Sequence, residues 1–140
     1  MALSGYLLDT SVMHRQADPA VADRVDELGT GRPLYRCAIV DLEVLHSATS
    51  PFDYESRRSA LINGYSDLPI TPEVMARALD TQRRLAAESQ HRALPLPDLI
   101  IAACAEVHGA VVLHHDADYD RIAAMTGQPV EWVAPRGSVS

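Results

Sequence analysis

Carboxylates stand beside apolar segments at several points along this 140-residue chain. Asp9 follows the apolar stretch YLL, and Asp116 follows AVVLHH, with Asp118 two residues later. Asp98 stands at the start of the apolar segment DLIIAACAEV, and Glu43 lies between apolar residues in DLEVLHSA. Each acid alone has an ordinary explanation: Asp98 as a helix cap, Asp9 as the cap of a turn, and Asp116 and Asp118 as loop acids. For Glu43 the ordinary explanation is a solvated helix residue, which its apolar neighbours make less favourable. Their similar placement indicates a common purpose.

A group of converging carboxylates has a definite chemistry. Without a cation the acids repel one another and raise each other's pKa. Mg²⁺ removes this cost, because it binds a few carboxylates together with water and leaves room for phosphate oxygens. The acids therefore predict a divalent metal site suited to a phosphoester substrate.

The elements that must position these acids alternate between strand and helix. Strands are predicted at GYLLDTSV, PLYRCAIV, AVVLHH and VEWV, and SDLPI is a short strand or an extended link. The alternation predicts one α/β domain with a central, mainly parallel sheet of about four or five strands and helices on both faces. We expect the domain at residues 1–134 and a loose tail at 135–140. In open parallel sheets, functional groups gather beyond the carboxyl ends of the strands.

The predicted helices follow cap signals. Asp18 with Pro19 begins the helix in ADPAVADRVDELGTG, and Thr71 with Pro72 begins the one in TPEVMARALDTQRRLAAESQH. Asp41 is predicted to cap DLEVLHSA, which places Glu43 in the first turn, and Asp98 to begin its own helix. Further helices are predicted in FDYESRRSALINGY, in PDLIIAACAEVHG up to its glycine, and in DYDRIAAMTG.

Composition excludes several functions. The formal net charge is −7, which argues against a non-specific nucleic-acid binder. All 12 basic residues are arginine, so lysine-dependent P-loop, Schiff-base and kinase chemistries are excluded. No apolar run reaches the ~20 residues of a membrane helix, and the N-terminus does not resemble a secretory signal. Cys37 and Cys104 are predicted to be buried thiols, and a cytoplasmic location is expected.

Four segments carry a resemblance to a known family. In order, LLDTSV, VDLEVL, LPDLIIAACA and VLHHDADYDRIA resemble the four acidic motifs of PIN-domain ribonucleases, and the chain is most similar to VapC toxins of type II toxin–antitoxin systems. The resemblance spans about residues 5–133. It implies a PIN fold, Mg²⁺- or Mn²⁺-dependent cleavage of transfer or ribosomal RNA, and 5′-phosphate products. It also implies a homodimer and inhibition by a VapB-type antitoxin in a heterotetramer or larger complex.

The resemblance also implies roles for individual residues. The core acids it assigns as catalytic and metal-binding are Asp9, Glu43, Asp98 and Asp116, with Asp118 as an additional acid and Ser11 as a supporting hydroxyl. We expect Asp9 and Asp98 to bind metal directly, and Glu43 and Asp116 to bind it directly or through water. The chain departs from the family at His114, where many relatives have threonine or serine.

Other functions stay open at this point. A non-catalytic PIN-fold binding or regulatory protein keeps the fold without the chemistry. A metal-dependent phosphatase of the haloacid-dehalogenase type is less favoured, because Ser11 stands where that family has a second aspartate and the chain lacks its lysine. The run DADYD resembles an EF-hand loop, but Arg121 and Gly127 occupy positions that require glycine and glutamate. The six histidines show no i, i+4 pair for zinc.

Binding of RNA and of an antitoxin requires further surfaces. Candidate phosphate contacts are Arg15, Arg83, Arg84 and Arg92, although solvated helix faces explain them as well. The two predicted helices in FDYESRRSALINGY and TPEVMARALDTQRRLAAESQH are candidates for a groove that holds an amphipathic antitoxin helix.

Overall fold

A computed structural model describes residues 5–140, so the first four residues of the predicted domain lie outside the described part. A five-stranded sheet forms its centre. The strands are β1 (Tyr6–Leu8), β2 (Leu34–Arg36), β3 (Ser66–Asp67), β4 (Val111–His114) and β5 (Val130–Trp132). Their order is β3-β2-β1-β4-β5, and every neighbouring pair is parallel. The predicted parallel sheet is confirmed, and SDLPI, which the sequence leaves open between a strand and an extended link, contains the short strand β3. The predicted second strand in PLYRCAIV is too long, because residues 38–40 belong to the following helix.

Helices cover both faces of this sheet. They are α1 (Thr10–Met13), α2 (Pro19–Gly31), α3 (Ala38–His46), α4 (Pro51–Gly64), α5 (Pro72–Ala87), α6 (Leu96–His108) and α7 (Asp118–Thr126). Alternate strand residues enter two separate cores, as the period of a strand requires. Leu7 and Val112 pack with residues of α3 to α7, whereas Leu8 and Leu113 pack with residues of α1 and α2.

The predicted caps explain where several helices begin and end. The Asp18 carboxylate accepts from the Ala20 N–H, and the Thr71 hydroxyl accepts from the Val74 N–H. Both caps lie directly before a proline at the first helical position. Gly109 ends α6 with a φ of 71°, a left-handed conformation that glycine adopts without strain.

Two predicted helix starts are wrong. The third helix begins at Ala38 after Cys37, so Asp41 is not its cap and Glu43 is the sixth helical residue. The sixth helix begins at Leu96 after Pro95, which makes Asp98 its third residue. Neither Cys37 nor Pro95 makes a side-chain cap bond. The prediction depends on a capping side chain, so it places both starts at the wrong residue.

The strand order defines where a site can form. From β1 the chain builds β2 and β3 on one side and later β4 and β5 on the other, so β1 and β4 flank the point where the order reverses. Such a point opens a crevice beyond the carboxyl ends of the strands. Asp9 lies there, because its N–H donates to the Leu113 carbonyl at 2.9 Å.

Other predictions concern the interior and the surface. Cys37 and Cys104 are buried free thiols, as predicted. Over residues 5–140, no helix is both long enough and apolar enough to cross a membrane. The predicted loose tail at 135–140 stays a prediction, although the Arg15 Nε atom donates to the Ser140 carbonyl at 3.0 Å.

Candidate metal centre

Three carboxylates from different parts of the chain form the centre of the site. One ligand oxygen from each of Asp98, Asp116 and Asp118 lies within 4.8 Å of the others. Asp98 comes from the first turn of α6, Asp116 from the loop after β4, and Asp118 begins α7. The Asp118 N–H donates to Asp116 Oδ1 at 2.9 Å, which fixes the loop between the two acids.

Asp98 is the most perturbed of these acids. It is only 8% exposed, and its Oδ2 atom is buried without a hydrogen-bond partner. Burial, which has the largest effect, and the charges of the neighbouring acids together raise the pKa of the carboxyl group to about 8; in order of decreasing effect these acids are Asp9, Asp116, Asp118 and Glu43. Burial and then the charge of Asp116 also raise the pKa of Asp118. Ionisation of Asp98 and Asp118 therefore costs free energy when no cation is bound.

Asp9 lies near this group of three, since its charge raises the pKa of Asp98 more than the charge of any other acid does. It is 3% exposed, and both of its carboxylate oxygens accept hydrogen bonds. Oδ1 accepts from the Tyr119 hydroxyl at 2.5 Å, and Oδ2 accepts from the Ser11 N–H at 3.0 Å. The Ser11 hydroxyl in turn accepts from the His115 N–H at 2.9 Å, so it joins the segments that follow β1 and β4.

Glu43 reaches the site from α3. It is half-buried, and its Oε1 atom accepts from the Thr10 hydroxyl at 2.7 Å. Its charge contributes to the raised pKa of Asp98, although less than the other acids do. The structure thus brings all five predicted acids to the end of β1 and β4, with Asp98, Asp116 and Asp118 closest together. Asp9 and Glu43 are not members of that closest group.

His114, where the resemblance leads one to expect threonine or serine, supports the site structurally. The ring is fully buried, and its Nδ1 atom accepts from the Asp116 N–H at 3.2 Å. Burial lowers the pKa of His114, which favours the neutral ring that this bond requires. The ring also packs against Tyr119 and Trp132, each with a centroid separation of 5.0 Å. His114 therefore supports the backbone of Asp116.

Sequence reasoning did not identify Thr10 or Tyr119 as parts of the site. Both stand close to predicted acids, since Thr10 follows Asp9 and Tyr119 follows Asp118. Their hydrogen bonds, however, reach acids 33 and 110 residues away along the chain. The positions of Thr10 and Tyr119 next to predicted acids could have marked them as candidates. Their hydrogen-bond partners can be identified only from the folded structure.

The five acids have no arginine partner. None of them forms a salt bridge with any residue in the described range 5–140. All candidate ligand atoms are carboxylate oxygens, and hard divalent cations prefer oxygen ligands. The unpartnered buried oxygen of Asp98 is accounted for if such a cation binds there. The residues present therefore fit a divalent metal ion.

Comparison with known proteins gives a consistent result. The PIN domain family matches residues 6–125. The chain is 46% identical to Ribonuclease VapC51 of Mycobacterium tuberculosis over 139 residues, which cover 99% of both chains. It is 42% identical to Ribonuclease VapC18 of the same organism, with 96% of this chain and 98% of that protein covered.

Solved structures resemble the fold. VapBC2 from Rickettsia felis bound to a DNA fragment from its promoter gives a TM-score of 0.78 at 12% identity, covering 91% of this chain and 97% of that chain. DNA-bound VapBC from Salmonella typhimurium gives a TM-score of 0.77 at 19% identity, covering 96% and 100%. At such identities the likeness shows the fold alone.

Proposed function

The chain belongs to the PIN-domain family, among its VapC ribonucleases, and from this we propose that it hydrolyses RNA phosphodiester bonds at a divalent metal centre. The observation that carries this proposal is the buried Asp98 oxygen that lacks a partner within a cluster of carboxylates. In a protein that uses the fold only for binding, such a cluster costs stability and gives nothing in return.

The proposed metal ligands are the five acids of the cluster: Asp9, Glu43, Asp98, Asp116 and Asp118. Asp98, Asp116 and Asp118, whose oxygens lie within 4.8 Å of one another, would hold the ion. Asp9, expected from the sequence to be a direct ligand, and Glu43 would bind it directly or through water. When bound, a divalent ion neutralises phosphate charge and lowers the pKa of an attached water. We propose Mg²⁺ as the resident ion, with Mn²⁺ as a replacement, because both accept oxygen ligands.

The remaining residues of the site keep these acids in place. Ser11 connects the segments after β1 and β4 through its hydroxyl. The Thr10 hydroxyl orients Glu43, and the neutral His114 ring holds the backbone of Asp116. Such partners fix the orientation of the ligands before substrate binds, which reduces the cost of reaching the reactive geometry.

RNA must also be held outside the acidic centre. Among the predicted arginine contacts, Arg15 donates to the Ser11 carbonyl at 2.7 Å and Arg84 donates to the Met125 carbonyl, so both guanidinium groups are partly engaged. Arg83 and Arg92 lie on the exposed surface. We propose that transfer or ribosomal RNA is the substrate and that flanking phosphates contact these arginines.

Support for the partners comes from the VapC relatives and from two proteins of the same fold, which were solved as VapBC complexes. We propose that a VapB-type antitoxin inhibits this chain, that the chain forms a homodimer, and that the complex is a heterotetramer or larger in the cytoplasm.

The hypothesis of a groove between α4 and α5 has no support from packing, since α4 packs on α3 and α5 on α6. Leu42, which precedes Glu43 in α3, is 65% exposed, and Phe52 of the neighbouring helix α4 is 85% exposed, which suits an apolar partner.

Metal-dependent cleavage of pooled cellular RNA tests this proposal. We expect cleavage with Mg²⁺ or Mn²⁺, its loss with a chelator, its return when metal is restored, and inhibition by the cognate antitoxin. An Asp116→Asn preparation purified in parallel reports contaminating nuclease. Sequencing the new 5′ ends identifies the RNA that is cut. RNA left intact with either metal, while the antitoxin still binds, would instead support the non-catalytic function.

A further inference from the structure

We infer that Tyr119 is a positioning residue that holds Asp9 in the orientation needed to bind the proposed metal ion. This inference rests on the proposed function and adds a residue to which neither the acidic motifs nor the comparisons give a role. The Tyr119 side chain is fully buried in α7, and its hydroxyl donates to Asp9 Oδ1 at 2.5 Å.

The two hydrogen bonds to Asp9 determine what remains for a cation. Each carboxylate oxygen has two lone pairs. The Tyr119 hydroxyl uses one on Oδ1, and the Ser11 N–H uses one on Oδ2. Two donors from different elements, α7 and α1, prevent rotation of the carboxylate group. One lone pair on each oxygen remains for the ion or its water.

Packing alone does not explain a tyrosine here. The ring lies in the core with the α3 to α7 helices, where phenylalanine would fill the same space. A buried hydroxyl needs a partner, and this one contacts a site carboxylate rather than a backbone carbonyl. The ring is itself held against His114, whose Nδ1 atom accepts from the Asp116 N–H. The aromatic pair of Tyr119 and His114 thus connects Asp9 with Asp116.

Tyr119→Phe tests the inference, with Tyr65→Phe as the matched control. The Tyr65 hydroxyl accepts from the Gln16 side chain at 2.7 Å and contacts no acid of the site. Mn²⁺ binding to the full chain is measured by electron paramagnetic resonance, and the melting temperature is measured in chelator. We expect Tyr119→Phe to weaken Mn²⁺ binding about 10- to 100-fold. Tyr65→Phe should bind as the wild type does, whatever its melting temperature.

The possible outcomes separate this inference from the proposed function. If Tyr119→Phe lowers the melting temperature but binds Mn²⁺ as tightly as the wild type, the hydroxyl serves packing only and the inference is wrong. If the wild type itself binds no Mn²⁺, the proposed function fails and the inference fails with it. If the wild type binds Mn²⁺ and Asp9→Asn weakens this binding but Tyr119→Phe does not, only the inference fails.

A second measurement needs no variant, in case Tyr119→Phe does not fold. In a high-resolution structure of the wild type with Mn²⁺, the Tyr119 hydroxyl should stay within hydrogen-bond distance of Asp9 while Asp9 contacts the ion or its water. A hydroxyl turned away from Asp9 in that structure overturns the inference.

Discussion

The carboxyl-terminal edge of the sheet has two halves that treat acidic residues differently. At the ends of β2 and β3, Arg36 lies 2.5 Å from Asp41 and 3.7 Å from Asp67, so one arginine serves two acids. At the ends of β1 and β4, five acids converge, and none has a salt-bridge partner in residues 5–140. We call these the paired half and the metal half.

The pKa values follow this difference. Burial raises the pKa of Asp41, but the charge of Arg36 and its hydrogen bond act in the opposite direction. Nothing comparable acts on Asp98, whose pKa reaches about 8. The pKa of Asp41 still stays above its usual value, and its buried Oδ1 atom has no hydrogen-bond partner. The difference between the halves is therefore the counter-ion, which the chain supplies to Asp41 and Asp67 through Arg36. In the metal half, the negative charge of the five acids has no counter-ion among residues 5–140, so we expect a cation from solution to neutralise it.

The largest expected effect is the loss of activity on replacing Asp98. Asp98→Asn removes a ligand charge while keeping the shape, so RNA cleavage should fall by about 10²- to 10³-fold or more. The control is Asp67→Asn in the paired half, which should cleave at the wild-type rate. Initial rates on a defined RNA at saturating Mg²⁺ measure both. An equal loss of cleavage rate in Asp98→Asn and Asp67→Asn would show that the two halves do not differ in their role in catalysis.

A stability effect of a few kcal/mol is expected from pH in the metal-free protein. The pKa of Asp98 is raised in the folded state from 3.8 to about 8, so the folded protein binds this proton more tightly than the unfolded chain does. The tighter binding of this proton stabilises the folded state by on the order of a few kcal/mol. This stabilisation is fully present below pH ~4 and is lost as the pH rises through about 8. Urea unfolding in chelator between pH 5 and 9 measures this loss.

Two controls sharpen the pH experiment. Saturating Mg²⁺ should remove the decline, because the ion stabilises the ionised carboxylate. Asp98→Asn should also remove it and should be more stable than the wild type near pH 8 without metal. A wild-type stability that stays constant from pH 5 to 9 in chelator would show that Asp98 ionises normally.

A smaller stability effect is expected on breaking the paired half. Arg36→Met leaves Asp41 and Asp67 without their counter-ion, and we expect a loss of about 1–3 kcal/mol in the free energy of unfolding. Urea denaturation near neutral pH measures it. Because Arg36 contacts none of the five site acids, Mg²⁺-dependent cleavage by the folded variant should be unchanged. A fall in metal affinity would mean that the two halves are coupled.

The smallest effect is expected at the hydroxyl that joins β1 to β4. Ser11→Ala leaves the His115 N–H without its acceptor and should cost about 1 kcal/mol. The Ser11 N–H to Asp9 remains, so cleavage should fall by no more than about 10-fold. Thermal unfolding and initial rates measure the two quantities. A loss as large as that of Asp98→Asn would place Ser11 among the ligands rather than beside them.

Much of the fold could be predicted from the sequence because local signals agree with it. Asp18 and Thr71 are side-chain caps beside prolines, and Gly109 ends a helix with positive φ. The predicted starts of α3 and α6 are wrong because neither Cys37 nor Pro95 makes a side-chain cap bond. Boundaries fixed without a side-chain bond leave little trace in a sequence.

The candidate site was predictable only in part. The acids could be named because parallel strands bring their carboxyl ends to one edge of the sheet, where Asp9 and Asp116 were both expected. That their strands are neighbours is known only from the structure. The Tyr119–Asp9 and Thr10–Glu43 bonds join residues far apart in the chain. They depend on how α7 and α3 pack on the sheet, which no local pattern specifies.

Location of the metal ion tests the central claim most directly. Crystals of the wild-type protein grown with Mn²⁺ and measured at a wavelength where manganese scatters anomalously reveal each bound ion. We predict a peak among Asp98, Asp116 and Asp118, bordered by Asp9 and Glu43, and no peak in the paired half near Arg36. A fully occupied ion elsewhere, with no peak among these three acids, would contradict the account.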